Sequence, residues 1–399
     1  MSNQYVFTDR LPIAPLKIAA LESCRPLAEM VNSHIVNFRR NDSEELKRRQ
    51  QDLQYRGYDV DSYLLDCVCP RFGTGEAKGV INESVRGTDI FVMVDVTNYS
   101  LTYKISGYVN HMSPDDHFQD LKRIIGAIGG KARRITVIMT MLYEGRQHKR
   151  AMRESLDCAI ALQELERLGV ENIITFDAHD PRVANAIPLA GFENIQPTYQ
   201  MIKALVNTVP DIRIDSDHMM VISPDEGAMN RCIYYTSVLG LDLGMFYKRR
   251  DYSRVIEGKN PIVAHVFLGN NIEGKDVIVV DDMISSGEST FEVIQQLKER
   301  KARRIFICST FGLFCEGYEK FDRAYEAGLF DRVFTTNLIY REPELLARPW
   351  YTEVSISKYI AHIINILNHD MSISGLLSPS QRIHQLLERH EKELREKQD

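Results

Sequence analysis

Short runs of apolar and β-branched residues alternate along the chain with stretches whose apolar positions recur every three or four residues. IFVMVDV (90–96), ITVIMTML (135–142) and NIITFDA (172–178) are such runs, and the helical pattern MRESLDCAIALQELERLG (152–169) separates the last two. HMMVISPD (218–225), VIVVDD (277–282) and RIFICSTFG (304–312) repeat the theme, each followed by a helical pattern, as in STFEVIQQLKER (289–300). Near-continuous apolar strands alternating with helices predict an α/β architecture with mostly parallel, helix-covered sheets. The two sets place two α/β units with a boundary near residue 200.

Three stretches interrupt this pattern. RRNDSEELKRRQQDLQYRG, within 37–58, and SQRIHQLLERHEKELREKQD, at 380–399, are highly charged with helical spacing and predict solvated or partner-facing helices. Residues 99–116 are polar and read as a loop. The resulting division is an extension over 1–15, a domain over 16–200 with insertions near 37–58 and 99–116, a domain over 201–376 and a charged helical tail over 377–399.

Composition adds limits. A chain of 399 residues exceeds a typical single core, and 44% hydrophobic against 26% charged residues excludes a disordered chain. A net charge of -6 gives no general pull toward nucleic acid or anionic membranes, so neither is expected as a partner, and any polyanion site must be local. The start, MSNQYVFTDR, lacks a secretion-signal pattern and no apolar run is long enough to cross a bilayer, so a cytoplasmic location is expected. Seven scattered cysteines without CxxC spacing read as reduced thiols rather than a zinc site.

The most specific chemistry lies in VIVVDDMISSGEST, 277–290. A buried strand brings Asp281 and Asp282 toward its carboxyl end, and ionised carboxylates accept hydrogen bonds from adjacent ribose hydroxyls. Ser285, Ser286, Gly287 and Ser289 follow immediately before a helix, where free N–H groups and the helix dipole favour phosphate. Taken alone, the acid pair also suits a metal or a solvated strand end with a Ser/Gly cap; acids, loop and helix together point to a sugar phosphate.

This segment resembles the phosphoribosyl diphosphate loop of the phosphoribosyltransferase fold. Further matches are similar to ribose-phosphate diphosphokinase in that family's order: FGTGEAKGVINESVRGTDIF (72–91), YEGRQHKRAMR (143–153), TFDAHD (175–180), SPDEGAMNR (223–231), YKRR (247–250) and GNNIEGKDVIVVDDMISSGES (269–289). The resemblance runs from about Leu16 to Leu377 and implies two tandem phosphoribosyltransferase-like domains, each a mostly parallel sheet flanked by helices. It implies Mg²⁺-dependent transfer of diphosphate from ATP to the C1 hydroxyl of ribose 5-phosphate, giving phosphoribosyl diphosphate (PRPP) and AMP.

The resemblance also assigns residues. Lys248 and Arg250 match the catalytic pair, while Arg146 and Gln147 belong to the ATP site; both sets are expected on mobile loops. His179 matches a histidine at the magnesium-ATP site and Asp225 an aspartate near metal and ribose. Phe72, Thr74 and Glu76 match positions that hold adenine from a neighbouring subunit, which implies a homo-oligomer, a dimer or a hexamer.

Three positions near this chemistry depart from the family pattern. Thr74 and His148 stand where acids are common, and Glu288 stands where the phosphate loop normally has a small residue. A catalytically weak regulatory paralogue, or a phosphoribosyltransferase acting on a base, are the competing functions.

Overall fold

The structure, a computed structural model, describes residues 10–48, 55, 57–250 and 262–396. The chain divides into two compact units. The first comprises the chain through Gln196 together with Asn337–Tyr340 and Ser355–Leu377; the second comprises Pro197–Thr336, Arg341–Val354 and the chain from Ser378.

In the first unit β1 (Leu16–Ala20) leads into α1 (Arg25–Arg48), and a small antiparallel pair follows, β2 (Cys67–Val68) with β3 (Val80–Ile81). After β4 (Asp89–Val94) comes a hairpin, β5 (Thr102–Ile105) with β6 (Tyr108–His111), and then α2 (Pro114–Ile128). The unit continues through β7 (Arg134–Met139), α3 (Asp157–Arg167), β8 (Asn172–Phe176) and β9 (Gly191–Ile195). The main sheet is parallel throughout, in the order β1-β4-β7-β8-β9. Every residue of β4 is buried, as a strand covered on both faces requires.

The segment 99–116, expected as a loop, is therefore a hairpin followed by a helix start. Thr102–Ile105 alternates exposed and half-buried positions, a pattern too polar to stand out as a strand in sequence. A capping box then starts α2: the Ser113 hydroxyl accepts from the Asp116 N–H at 3.2 Å, and the Asp116 carboxylate accepts from the Ser113 N–H at 2.9 Å.

Of the charged run near 37–58 expected as a solvated helix, residues 49–54 and 56 lie outside the described residues, and the helical part through Arg48 is only partly solvated. Arg39 is 1% exposed; it donates to Asn365 at 3.1 Å and Asn368 at 2.6 Å, and its guanidinium lies 4.7 Å from the ring centres of both Tyr58 and Tyr63. Its amphipathic face packs on the helix Ser357–Asn368, and this holds a segment from the end of the chain in the first unit. Asn368 also donates to Asp89 at 2.8 Å, and Asp89 receives two further bonds from Arg134 at 2.8 and 2.7 Å. Paired and fully hydrogen-bonded in this way, the buried Asp89 charge is stabilised.

The second unit contains α4 (Thr198–Thr208), β10 (Met219–Ser223), α5 (Met229–Leu239), β11 (Asp242–Arg250), β12 (Ile262–Leu268) and β13 (Asp276–Ile284). It continues with α6 (Glu288–Glu299), β14 (Ile305–Gly312), α7 (Glu319–Glu326), β15 (Arg332–Thr336), α8 (Pro343–Leu346) and β16 (Tyr351–Val354). The helix Ser357–Asn368 is α9, and α10 (Ser374–Leu377) and α11 (Ser380–Glu396) complete the chain. The sheet order is β12-β11-β10-β13-β14-β15-β16, parallel except for the edge strand β12. One face packs on an aromatic core in which Phe321 stacks on the fully buried Trp350 at 5.4 Å.

The charged tail is helical, as expected, and is tied down at two points: Ile383 is fully buried, and His390 Nε2 lies 2.7 Å from the Ile212 carbonyl oxygen. All seven thiols are free, and five of them are buried. Among the described residues no helix is long and apolar enough to cross a membrane.

One buried acid costs stability. Asp42 is fully buried, accepts one bond from the Tyr58 hydroxyl at 3.1 Å and leaves its other oxygen without a partner. Burial pushes its pKa up to about 7, with the Tyr58 bond partly opposing. A pKa raised on folding favours the protonated native state, so this contribution is present below about pH 4 and is lost as pH rises through about 7. Asp42→Asn should raise the free energy of urea unfolding at pH 8 by on the order of 2 kcal/mol and change it little at pH 4; equal effects at both values would refute the assignment.

Candidate active site

In the second sheet the connections part between β10 and β13. After β10 the chain continues to β11 and β12 on one side, and after β13 it continues to β14, β15 and β16 on the other. A crevice forms outside the carboxyl ends at such a point. The β10–β13 ladder ends at Ile222 and Val279, whereas β13 stays paired with β14 as far as Ile284. Asp281 and Asp282 thus lie within the strand but beyond the end of its β10 ladder.

Three acids meet there. Burial comes first, then the charge of Asp282, and together with Asp225 they hold the Asp281 carboxyl well above the usual carboxylate range; Arg231 pulls the other way. Asp282 is 5% exposed, and its N–H donates to Asp281 Oδ1 at 2.9 Å. Asp225 follows β10 directly and is exposed, and its Oδ1 accepts from the N–H groups of Gly227 at 2.8 Å and Ala228 at 3.2 Å. Those bonds organise the turn into α5, so Asp225 has a structural role as well as a place at the crevice. Arg231, on α5, was not singled out from sequence; MNR reads there as an ordinary helix start.

The serine-glycine loop joins β13 to α6. The backbones of Leu313, Phe314 and Cys315 hold it, donating to the Ile284 oxygen at 2.9 and 3.2 Å and to the Ser285 oxygen at 2.9 Å. Ser285 and Ser286 are half-buried, and the Ser286 hydroxyl accepts weakly from the Glu288 N–H at 3.4 Å. Gly287 is left-handed, φ 84°, and caps α6 with no side-chain bond to the helix. The first N–H groups of α6 thus border the loop, the arrangement that favours an anion. Ser289 and Glu288 are exposed in the first turn. Glu288 suits the positive end of the helix dipole, and Lys320 is close enough to feel its charge.

The basic motif at 247–250 was expected on a loop. Its backbone instead closes β11, where Lys248, Arg249 and Arg250 are in register with His265, Ala264 and Ile262 of β12, with an irregularity between Arg249 and Arg250. The antiparallel ladder of the apolar run IVAHVFL holds it extended. The side chains of Lys248 and Arg250, and residues 251–261, lie outside the described part of the structure.

The first unit groups a second set. Arg146 is exposed and Gln147 half-buried in the loop after β7, where the Gln147 side chain donates to the Ser155 oxygen at 2.8 Å. His179 is exposed just past β8, and its ring lies 5.3 Å from that of His148. His148 Nε2 is 3.4 Å from Asp180 Oδ2, while its buried Nδ1 has no partner. The Arg182 side chain beside Asp180 holds that acid down to about 2. Asp177, buried at the end of β8, has φ 41°, a conformation rare outside glycine that turns the chain into His179.

Phe72–Glu76 forms a separate tight turn. The Phe72 N–H donates to the Glu76 oxygen at 2.7 Å, Gly75 N–H to the Phe72 oxygen at 2.9 Å, and Thr74 Oγ1 to the Glu76 carboxylate at 3.0 Å. The Phe72 ring is 52% exposed, unusual for a phenylalanine on a rigid turn.

Among the described residues no three His, Cys, Asp or Glu side chains converge on a cation-sized site. Asp225, Asp281 and Asp282 offer oxygens of the kind that Mg²⁺, a hard cation brought in with phosphate oxygens, prefers; His179 offers nitrogen, a weaker match.

Comparisons agree with this layout. Residues 16–169 match the model of the N-terminal domain of ribose phosphate pyrophosphokinase, and residues 253–378 match the phosphoribosyl synthetase-associated domain. The ribose-phosphate pyrophosphokinase of Vibrio parahaemolyticus is 26% identical over 345 residues, covering 86% of this chain and 98% of its own. That of Shewanella oneidensis is 27% identical over 319 residues, covering 79% and 91%. The crystal structure of phosphoribosylpyrophosphate synthetase from Mycobacterium smegmatis superposes with a TM-score of 0.68 at 21% identity, covering 89% of this chain and 99% of that one, and so shares the fold.

The cap of α6 leaves no room for a side chain. A Cβ on Gly287 would lie 2.8 Å from Phe321 Cζ, in a fully buried ring, and the backbone would be strained at its positive φ. Gly287→Ala should therefore cost about 1–3 kcal/mol in urea unfolding; an unchanged midpoint would show that the loop adapts freely.

Proposed function

The chain belongs to the ribose-phosphate pyrophosphokinase family, a family of enzymes, and on that premise we propose that it transfers the diphosphate of ATP to the C1 hydroxyl of ribose 5-phosphate. The C1 oxygen attacks the β-phosphorus, the bond from that phosphorus to the α-phosphate bridging oxygen breaks, and PRPP and AMP leave. The observation that carries this reading is the acid pair, serine-glycine loop and helix start gathered at the parting of the second sheet.

In this reading Asp281 and Asp282 accept the ribose hydroxyls, Asp225 orients the sugar, and Ser285, Ser286, Gly287 and Ser289 receive the 5-phosphate at the start of α6. Mg²⁺ carried on the polyphosphate would neutralise charge, with Asp225 and His179 the residues beside it. Arg146, Gln147 and His179 hold the phosphates of ATP. Lys248 and Arg250 stabilise charge developing in the transition state, the main means of catalysing phosphoryl transfer. The exposed Phe72 ring, with Thr74 and Glu76, would cover adenine in a second copy of the chain, which makes the active form a homo-oligomer.

Purified protein incubated with ATP, ribose 5-phosphate, Mg²⁺ and phosphate should release AMP and PRPP in equal amounts. Absence of AMP would favour a regulatory paralogue, and consumption of PRPP only with a base would favour a transferase. Lys248→Ala should lower kcat about 10²-fold or more with an unchanged circular dichroism spectrum; an unaltered kcat removes Lys248 from the chemistry.

Asp281 accepts hydroxyls best when ionised, and its carboxyl is held high, so affinity for ribose 5-phosphate should rise with pH. Removing the opposing charge by Arg231→Gln should move that rise to higher pH in the KM profile. A profile identical to the parent's would separate Arg231 from the acid pair.

A further inference from the structure

Arg146 and Gln147 stand on the loop that runs from the end of β7 to α3, and the chain is anchored just before them. The Tyr143 ring lies flat against the Phe118 ring of α2, with centres 4.3 Å apart and planes 2° from parallel, and the Tyr143 hydroxyl donates to Asp115 Oδ1 at 2.6 Å. Phe118 is buried in the core of the first unit, Tyr143 is half-buried against that core, and Asp115 is exposed. One side chain thus grips α2 through an apolar face and a hydrogen bond to a charged acceptor.

Between this grip and Arg146 the backbone is tightly folded. Glu144 has φ 53°, a left-handed conformation that a non-glycine residue keeps only where its surroundings impose it. The Gly145 N–H donates to the Leu142 oxygen at 3.1 Å and the Gln147 N–H to the Glu144 oxygen at 2.8 Å, so two successive turns span 142–147. Beyond them the Gln147 side chain is bonded to the Ser155 oxygen, and the Ser155 hydroxyl donates at 2.6 Å to Asp157 in the first turn of α3. The exposed Arg146 is therefore bracketed by Tyr143, tied to α2, and by Gln147, tied to the start of α3.

Asp115 belongs to the segment 99–116 that interrupts the α/β pattern. The capping box of Ser113 and Asp116 fixes the turn on which Asp115 sits, and the Tyr103 hydroxyl of β5 donates to Asp116 at 3.0 Å. That segment thus supplies the acceptor of the grip.

We propose that Tyr143, held by Asp115 and Phe118, is a positioning residue that sets Arg146 for the phosphates of a nucleoside triphosphate. The inference rests on the assignment of Arg146 and Gln147 to ATP made above and adds the residues that hold them in place. A loop arginine gives up backbone and side-chain freedom when it closes on a phosphate, and a loop already restrained on both sides gives up less. Tyr143 acts only through that restraint.

Hydrogen exchange tests the grip without any ligand. In Tyr143→Phe, which keeps the stack and loses the hydroxyl, the Gly145 and Gln147 amides should exchange about tenfold faster than in the parent. Calorimetric binding of ATP with Mg²⁺ to the intact protein should weaken about tenfold in Tyr143→Phe and in Asp115→Ala. Asp115→Asn, whose amide oxygen still accepts, should recover most of the loss seen in Asp115→Ala. In an Arg146→Ala background Tyr143→Phe should weaken binding no further, a coupling that general destabilisation would not produce. Unchanged amide exchange, undiminished ATP binding by Tyr143→Phe, or a loss that simply adds to that of Arg146→Ala would each overturn the proposal and leave the activity proposed above standing. Failure of the parent itself to bind ATP would overturn both.

Discussion

Asp281 and Asp282 are consecutive carboxylates set where β13 outruns its β10 ladder, and the charge of one weighs on the other. Burial and the charge of Asp282 hold Asp281 toward its neutral form, while Arg231 offsets part of the effect. Such a site is short of positive charge and of donors.

The amino ends of the strands are managed in the opposite way. β4 opens with the buried Asp89, paired to Arg134 of β7, and β13 opens with the buried Asp276, paired to Arg303 at 2.7 and 2.6 Å and to Arg304 at 2.7 Å. In both units an acid starting a central strand is locked by an arginine at or just before the next one. Each pair is fully hydrogen-bonded, so removing one member would strand a buried charge. The carboxyl ends of β10 and β13 differ: Asp225, Asp281 and Asp282 gather there, with Arg231 as the opposing charge.

Much of this was legible along the chain because central parallel strands are apolar throughout and leave runs such as IFVMVDV and VIVVDD. The serine-glycine loop stands out along the chain because a glycine and hydroxyl residues cluster between an apolar strand and a helix, a mark that a plain Ser/Gly cap also leaves. The β5–β6 hairpin was not, since a two-stranded ribbon outside the main sheet carries no buried apolar run. Arg39 and Asp42 sit inside a charged helical stretch, and Arg39 is an interior residue because Asn365 and Asn368, more than 300 residues away, and the rings of Tyr58 and Tyr63 enclose it. The strand at 247–250 was hidden for a related reason: basic residues suggest a solvated loop, and the ladder that straightens them comes from β12. Arg231 acquires meaning only when the start of α5 is set beside Asp281.

The departures from the family pattern separate into two kinds. Glu288 is exposed in the first turn of α6, where the dipole favours an acid and Lys320 shares its field, so it disturbs the phosphate loop less than its charge suggests. His148 is different. It replaces a charge with a ring whose Nδ1 is buried and unpartnered beside His179, and an orphaned buried nitrogen is costly unless something arrives to bond it. The substitution thus leaves no carboxylate at this position and sets a second imidazole beside His179.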